Sequence, residues 1–97
     1  MTLLEQVKLA LRLTVDDYNN EIMDLIMAAQ ADLGVAGVVI NQGCSDPLIR
    51  RAIITYCKVH FLGLTDGEFY RLKASYDEQK AQLSMNTGHT NWLGVDG

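Results

Sequence analysis

The residues best suited to chemistry in this 97-residue chain are Cys57 and His60, which stand three positions apart. On a helix this spacing places both side chains on one side, where they could bind zinc with Cys44 or His89 as a further ligand. Structural zinc sites usually carry two such pairs, and this chain has one. A nucleophilic Cys57 would need an accessible thiolate and a base in reach, but its neighbours are apolar. The pattern favours a buried thiol and a partly buried histidine, with no metal and no other cofactor.

A run of carboxylates near the start of the chain is the other candidate for cation binding, and it comprises Asp16, Asp17, Glu21 and Asp24. Their spacing is not that of an EF-hand loop, and they are better explained as helix caps and solvated helix residues. The sequence contains no phosphate-binding, dinucleotide-binding, zinc-protease or serine-hydrolase motif. We therefore predict that the protein is not an enzyme.

The charge balance limits the kinds of partner. A formal net charge of −4 argues against a protein that wraps nucleic acid with its whole surface, because phosphate binding needs clustered lysine and arginine. A small helical DNA-binding regulator remains the alternative, with the third or the fourth helix as the reader and Arg50, Arg51 and Arg71 contacting phosphates. Two cysteines are too few for a secreted disulfide scaffold, which favours a cytosolic protein, and no apolar run is long enough to predict a membrane span.

The elements that position these residues are predicted to be helices, each starting at a capping residue and carrying one apolar face. Thr2 and Glu5 have the spacing of a capping box, Thr14, Asp16 or Asp17 would cap the second helix, and Thr65 or Asp66 the fourth. The first three predicted helices cover residues 3–13, 17–33 and 45–63, and Gly67 and Glu68 lead into the fourth, over residues 69–83. We expect an all-α bundle of about four helices, with a single domain over residues 1–84 and an extended C-terminal arm over residues 85–97.

The third helix has the strongest pattern. Ser45 or Asp46 can cap it, Pro47 suits its first position, and Gly63 is predicted to end it in the left-handed conformation. One face is predicted to be buried, and its members are Ile49, Ala52, Ile53, Tyr56, Cys57, His60 and Phe61. This is the pattern of a central scaffold helix.

Three features outside the predicted core are candidate interfaces. The glycine-rich loop over residues 34–43 carries an apolar tip that could form a short strand, pack over the core or contact a partner subunit. Two methionines widen the apolar surface of the second helix, either as adaptable core filling or as an interface. The arm contains a tryptophan that a purely solvated tail would not need, and it docks on its own domain or on another subunit. The candidate interface residues are Met23, Met27, Val38, Val39, Ile40, Trp92 and Leu93.

Two stretches of the sequence carry a resemblance to a known family. They are LLEQVKLALRLTVDDYNNEIMDLIMAAQADL, a short helix, an acidic turn and a second helix, and SDPLIRRAIITYCKVHFLG, with its Asp-Pro start. Over about residues 2–84 this order resembles the head-tail connector (adaptor) proteins of tailed bacteriophages.

The resemblance implies a non-enzymatic virion structural protein. Members of that family are helical wedges that assemble as a ring under the portal protein, extend the DNA channel and join the head to a neck or tail completion protein. The implied location is the virion neck, after synthesis in the host bacterial cytoplasm, and DNA passes through without specific binding. The resemblance assigns the two ends and the loop over residues 34–43 to contacts with neighbouring subunits or the portal. It assigns to the central scaffold helix Asp46, Pro47, Leu48, Ile49, Ala52, Ile53 and Tyr56.

Overall fold

The computed structural model describes residues 2–38 and 46–85 of the chain. They form four α-helices, which are α1 (Leu3–Ala10), α2 (Asn19–Val35), α3 (Pro47–Phe61) and α4 (Asp66–Met85). The described part of the chain contains no strand, and the predicted all-α fold is confirmed. No helix within these two ranges has the length and apolar character that a membrane span requires.

Helix α1 begins as predicted but ends earlier. The Thr2 hydroxyl accepts a hydrogen bond from the Glu5 backbone N–H at 3.1 Å, and the Glu5 carboxylate accepts one from the Thr2 N–H at 2.7 Å. The helix ends at Ala10, not at Leu13, because Arg12 adopts a left-handed φ of 61°. This turn lets Leu13 donate to the Lys8 carbonyl and Arg12 to the Leu9 carbonyl, which closes a Schellman motif.

Helix α2 begins without any of the three predicted caps. Its N-cap residue is Tyr18, whose side chain makes no capping hydrogen bond. Asp16 instead accepts hydrogen bonds from Lys8 at 2.6 Å and from the Asn19 side chain at 3.5 Å, so its carboxylate ties the end of α1 to the start of α2. The prediction failed here because a cationic partner eight residues away competes for the carboxylate that would otherwise cap the helix.

Helix α2 ends in a second Schellman motif. Gly37 has a φ of 94° and donates to the Gly34 carbonyl, while Val38 donates to the Leu33 carbonyl at 3.0 Å. A hydrophobic contact between the last residue of such a motif and the helix usually accompanies it, and both Val38 and Leu33 belong to the buried core.

Helix α3 is the central element, because it contacts α1, α2 and α4. Asp46 caps it by accepting a hydrogen bond from the Leu48 N–H at 2.8 Å, and Pro47 is its first residue, as predicted. The predicted left-handed Gly63 is wrong: Leu62 leaves the helix in an extended conformation, and Gly63 has no positive φ. The helix therefore stops without the turn that a glycine cap would supply.

Packing on several sides also changes the predicted face of α3. His60 is exposed, not part of the buried face, whereas Val59 is buried. The remaining buried residues of α3 are Ile49, Ala52, Ile53 and Cys57, as predicted. Because three helices surround α3, a single helical stripe does not describe which of its positions are buried.

Helix α4 begins with a reciprocal pair of hydrogen bonds like that of α1. The Thr65 hydroxyl accepts from the Glu68 N–H at 3.3 Å, and the Glu68 carboxylate accepts from the Thr65 N–H at 3.0 Å. These bonds hold the pKa of the Glu68 carboxyl below its ordinary value. Only Tyr76 and Leu83 of α4 are buried, so the helix packs through a narrow face.

Candidate protein interface

An apolar depression whose lining includes predicted interface residues lies between α1 and α2. We call it the α1–α2 groove; it has a volume of about 420 Å³ and is lined by Thr2, Leu3, Leu4, Met23, Ile26, Met27 and Gln30. Met27 is 60% exposed and Met23 is 40% exposed, although both belong to an amphipathic helix. Apolar surface of this kind, rimmed by polar residues, is typical of a protein interface.

The groove forms because some apolar residues of α1 and α2 are buried in the core while others stay partly exposed beside it. Helix α2 buries its main face through Ile22, Ile26, Ala29 and Leu33. The two methionines stand beside that face, where α1 is too short to cover them. Near the other end of α1, Val7 and Leu11 reach the core, while Leu3 and Leu4 remain partly exposed. The structure thus brings Met23 and Met27 together with the N-terminal turn of α1.

The other predicted interface residues do not join this groove within the described residues. Val38 is 4% exposed and packs into the core of its own chain, which is one of the alternatives that the sequence left open. Val38 is thus a core residue of the single subunit, and its contact with a partner stays a prediction. Val39, Ile40, Trp92 and Leu93 lie outside the described residues.

A polar cluster between α2, α3 and α4 was not predicted from the sequence. The Tyr76 hydroxyl donates a hydrogen bond of 2.6 Å to the Asp32 carboxylate, and Lys80 donates one of 3.1 Å to the same oxygen. The Lys80 ammonium also lies 5.3 Å from the centre of the Tyr76 ring, and the Tyr56 ring meets Tyr76 edge-on at 5.3 Å. The cluster ties the C-terminal end of α2 to the middle of α4.

The electrostatics of the cluster follow from these contacts. The hydrogen bond from Tyr76 is the main cause that holds the pKa of Asp32 below its ordinary value, and Lys80 acts in the same direction. Burial is the main cause that raises the pKa of Tyr76, and the hydrogen bond to Asp32 acts in the same direction. One signal in the sequence could have indicated the cluster, because a tyrosine on a predicted buried face needs a hydrogen-bond partner for its hydroxyl. Nothing local identifies that partner as Asp32, which is 44 residues away.

Comparison with known proteins settles the family. A sequence model of the family described as phage connector protein matches residues 3–90, which include all four helices and every residue of the α1–α2 groove except Thr2. The chain belongs to the phage connector family. Connectors are structural proteins, and membership implies a place at the head-tail junction of the virion and contacts with other head or tail components. No solved structure and no curated protein sequence matches this connector.

Cys57 and His60, the residues that could bind zinc or supply a thiolate, lie in different environments in this connector. Cys57 is fully buried, and burial raises the pKa of its thiol to about 12. His60 points to the surface, with its ring 4.2 Å from the ring of Tyr56. Within residues 2–38 and 46–85 no three potential ligands come together to hold a metal ion, and Cys44 and His89 lie outside these ranges. The thiol is a packing element of α3.

Proposed function

We propose that this connector is a non-enzymatic adaptor that assembles as a ring under the portal protein. The ring would extend the DNA channel and join the head to a neck or tail completion protein, in the virion neck. Membership of the phage connector family supports this role. The net charge of −4 is compatible with DNA that passes through without specific binding.

The observation that carries the proposal is the α1–α2 groove. Two partly exposed methionines and the first turn of α1 form an apolar depression on the surface of the subunit. Methionine is unbranched and adaptable, which suits a surface that must fit a partner. A groove on one side of the subunit that receives a different surface of its neighbour gives a head-to-tail contact, and such contacts close into a ring when the rotation is right. Val39, Ile40, Trp92 and Leu93 remain proposed contacts.

The contacts of α3 argue against its use as the reading helix of the alternative, a DNA-binding regulator. A recognition helix must present one face to the major groove, but α3 is enclosed by α1, α2 and α4. Arg51 is exposed on α3, while Arg50 already has an interaction within the protein. The two arginines therefore do not form a free basic face.

The test measures assembly of the full chain. Sedimentation over a range of concentrations, with and without portal protein, should show self-association or a complex with the portal. Changing both Met23 and Met27 to glutamate should weaken that association at least about tenfold, because interface residues in desolvated pockets often contribute more than 1 kcal/mol each.

The matched control is Tyr70→Glu, which changes another exposed residue, 71% exposed on α4, to the same acidic residue. It should keep the association of the unmodified protein. A connector that stays monomeric at all concentrations and does not bind portal protein would refute the proposal, and equal losses in both variants would refute the role of the groove.

A further inference from the structure

A second apolar groove lies where the first turns of α3 meet the last turns of α4. We call it the α3–α4 groove; it is lined by Leu48, Arg51, Gln79, Gln82 and Leu83. Leu83 is 3% exposed and forms its floor, while Leu48 is 54% exposed at its rim. A large aliphatic side chain so exposed beside a buried one marks a surface that lacks a covering group.

The groove also contains an unpaired acceptor. The side-chain oxygen of Gln79, a residue of the groove lining, is buried and accepts no hydrogen bond from the described residues. A buried acceptor without a partner is unfavourable, and buried side-chain oxygens are nearly always hydrogen-bonded. A group that fills this groove would gain most from an apolar body and one hydrogen-bond donor for the Gln79 oxygen.

We propose that the α3–α4 groove receives the C-terminal arm of the same chain, residues 86–97, with Trp92 as its anchor. Tryptophan combines a large apolar ring with a single N–H donor and no acceptor, which matches the buried Gln79 oxygen beside Leu48 and Leu83. Arg51 on the groove wall supplies a guanidinium that can stack on the indole face.

The chain length makes this docking possible within one subunit. The arm starts directly after Met85, the last residue of α4, and Trp92 is seven residues further along. A flexible segment of that length spans roughly 15 Å. Gln79 lies six residues before the end of α4, about 9 Å back along the helix axis. The arm therefore needs only to fold back along the helix that carries it.

The loop over residues 39–45 leads into Asp46 and α3, so it is the other segment of the chain that could fill the groove. It contains no aromatic residue with a donor, so it supplies less of what the groove lacks. Attachment to α4 gives the arm a high effective concentration at its own groove. On assembly, the identical groove of a neighbouring subunit offers the same contacts, so the arm can pass from one to the other. Docking in the free subunit does not depend on the proposed ring.

Trp92 is the only tryptophan of the chain, so its fluorescence reports the environment of the arm alone. The experiment compares the full chain, at concentrations where sedimentation shows monomer, with a peptide of residues 86–97. In the full chain we expect emission at shorter wavelength and several-fold weaker quenching by acrylamide than in the peptide. Leu48→Glu should return both properties to those of the peptide, and it should keep the fold because a carboxylate is favourable in the first turn of a helix.

The control is Leu9→Glu, an exposed leucine on α1 outside this groove, which should leave the emission unchanged. Peptide-like emission in the monomeric protein would overturn the proposal, because the arm would then be undocked. Protection that appears only as the concentration rises would also overturn it, since the arm would then dock on a second copy, which is an outcome that supports ring assembly.

Discussion

The hydrogen bond between Tyr76 and Asp32 should contribute to stability, and its geometry sets the size of the loss expected when it is removed. Replacing Tyr76 with phenylalanine removes one hydroxyl and leaves the ring, its contact with Tyr56 and the packing of α4 in place. Hydrogen bonds to charged groups contribute about 1.5–3 kcal/mol to stability. The Asp32 side chain is 38% exposed and keeps its bond to Lys80, so water and the ammonium compensate in part. We expect a loss of about 1–2 kcal/mol in the free energy of unfolding.

Urea denaturation, followed by the helical circular dichroism signal, measures this loss. A domain of this size has a slope of roughly 1–2 kcal/mol per molar urea, so the midpoint should fall by roughly 1 M while the slope stays the same. The matched control is Tyr70→Phe, which removes the same atom from a tyrosine that is 71% exposed. Its effect should stay within about 0.5 kcal/mol.

The pH dependence separates the hydrogen bond from packing. Since the pKa of Asp32 is lowered in the folded protein, its contribution is fully present above its ordinary pKa of 3.8 and is lost as the pH falls through the folded value. The difference between the unmodified protein and Tyr76→Phe should therefore be largest near neutral pH and shrink on acidification below pH 3.8. Equal effects of Tyr76→Phe and Tyr70→Phe, or a difference that is independent of pH, would refute this reasoning.

Two further predictions concern the helix ends and the buried thiol. Gly37→Ala should destabilise the protein by about 1–2 kcal/mol, because alanine is disfavoured at the φ of 94° that ends α2. Arg12→Gly, at a φ of 61°, should stabilise it by up to about 1 kcal/mol. Thermal unfolding measures both, and a stabilising Gly37→Ala or a destabilising Arg12→Gly would contradict the Schellman assignment. With Cys44 replaced by serine, Cys57 is the cysteine that remains. It should react with a thiol reagent at pH 8 at least about tenfold more slowly in the folded protein than in urea, since burial raises the pKa of its thiol to about 12. Equal rates would contradict its burial.

The parts of the fold that were predictable depend on neighbouring residues. The Thr2 and Glu5 pair and the Asp46-Pro47 start are helix signals that operate within one turn, and the structure contains both. The end of α3 was not predictable from Gly63, because glycine permits the left-handed conformation without requiring it. At the end of α1, tertiary packing of Leu13 holds an arginine in the conformation that a glycine would normally supply.

At the candidate interface, too, features set by neighbouring residues were predictable and features set by tertiary packing were not. The spacing of Met23 and Met27 placed them beside the apolar face of α2, and the structure has them partly exposed there. The apolar run at Val38 did not reveal that its first residue closes the end of α2, since that depends on the Schellman geometry around Gly37. Asp32 and Tyr76 lie 44 residues apart, and no periodicity connects positions on two different helices.

The narrow packing of α4 has a consequence for how the subunit deforms. Only two of its residues are buried, and its tie to α2 is formed by one carboxylate. Segments with few buried apolar contacts open at a lower free energy than the global unfolding of the domain. We expect α4 to be such a unit of local opening, while α1, α2 and α3 stay closed around Ile53. The C-terminal end of α4 would then change its direction at a fraction of the free energy of unfolding, and in the proposed ring this would let identical subunits adapt to neighbours placed at different angles.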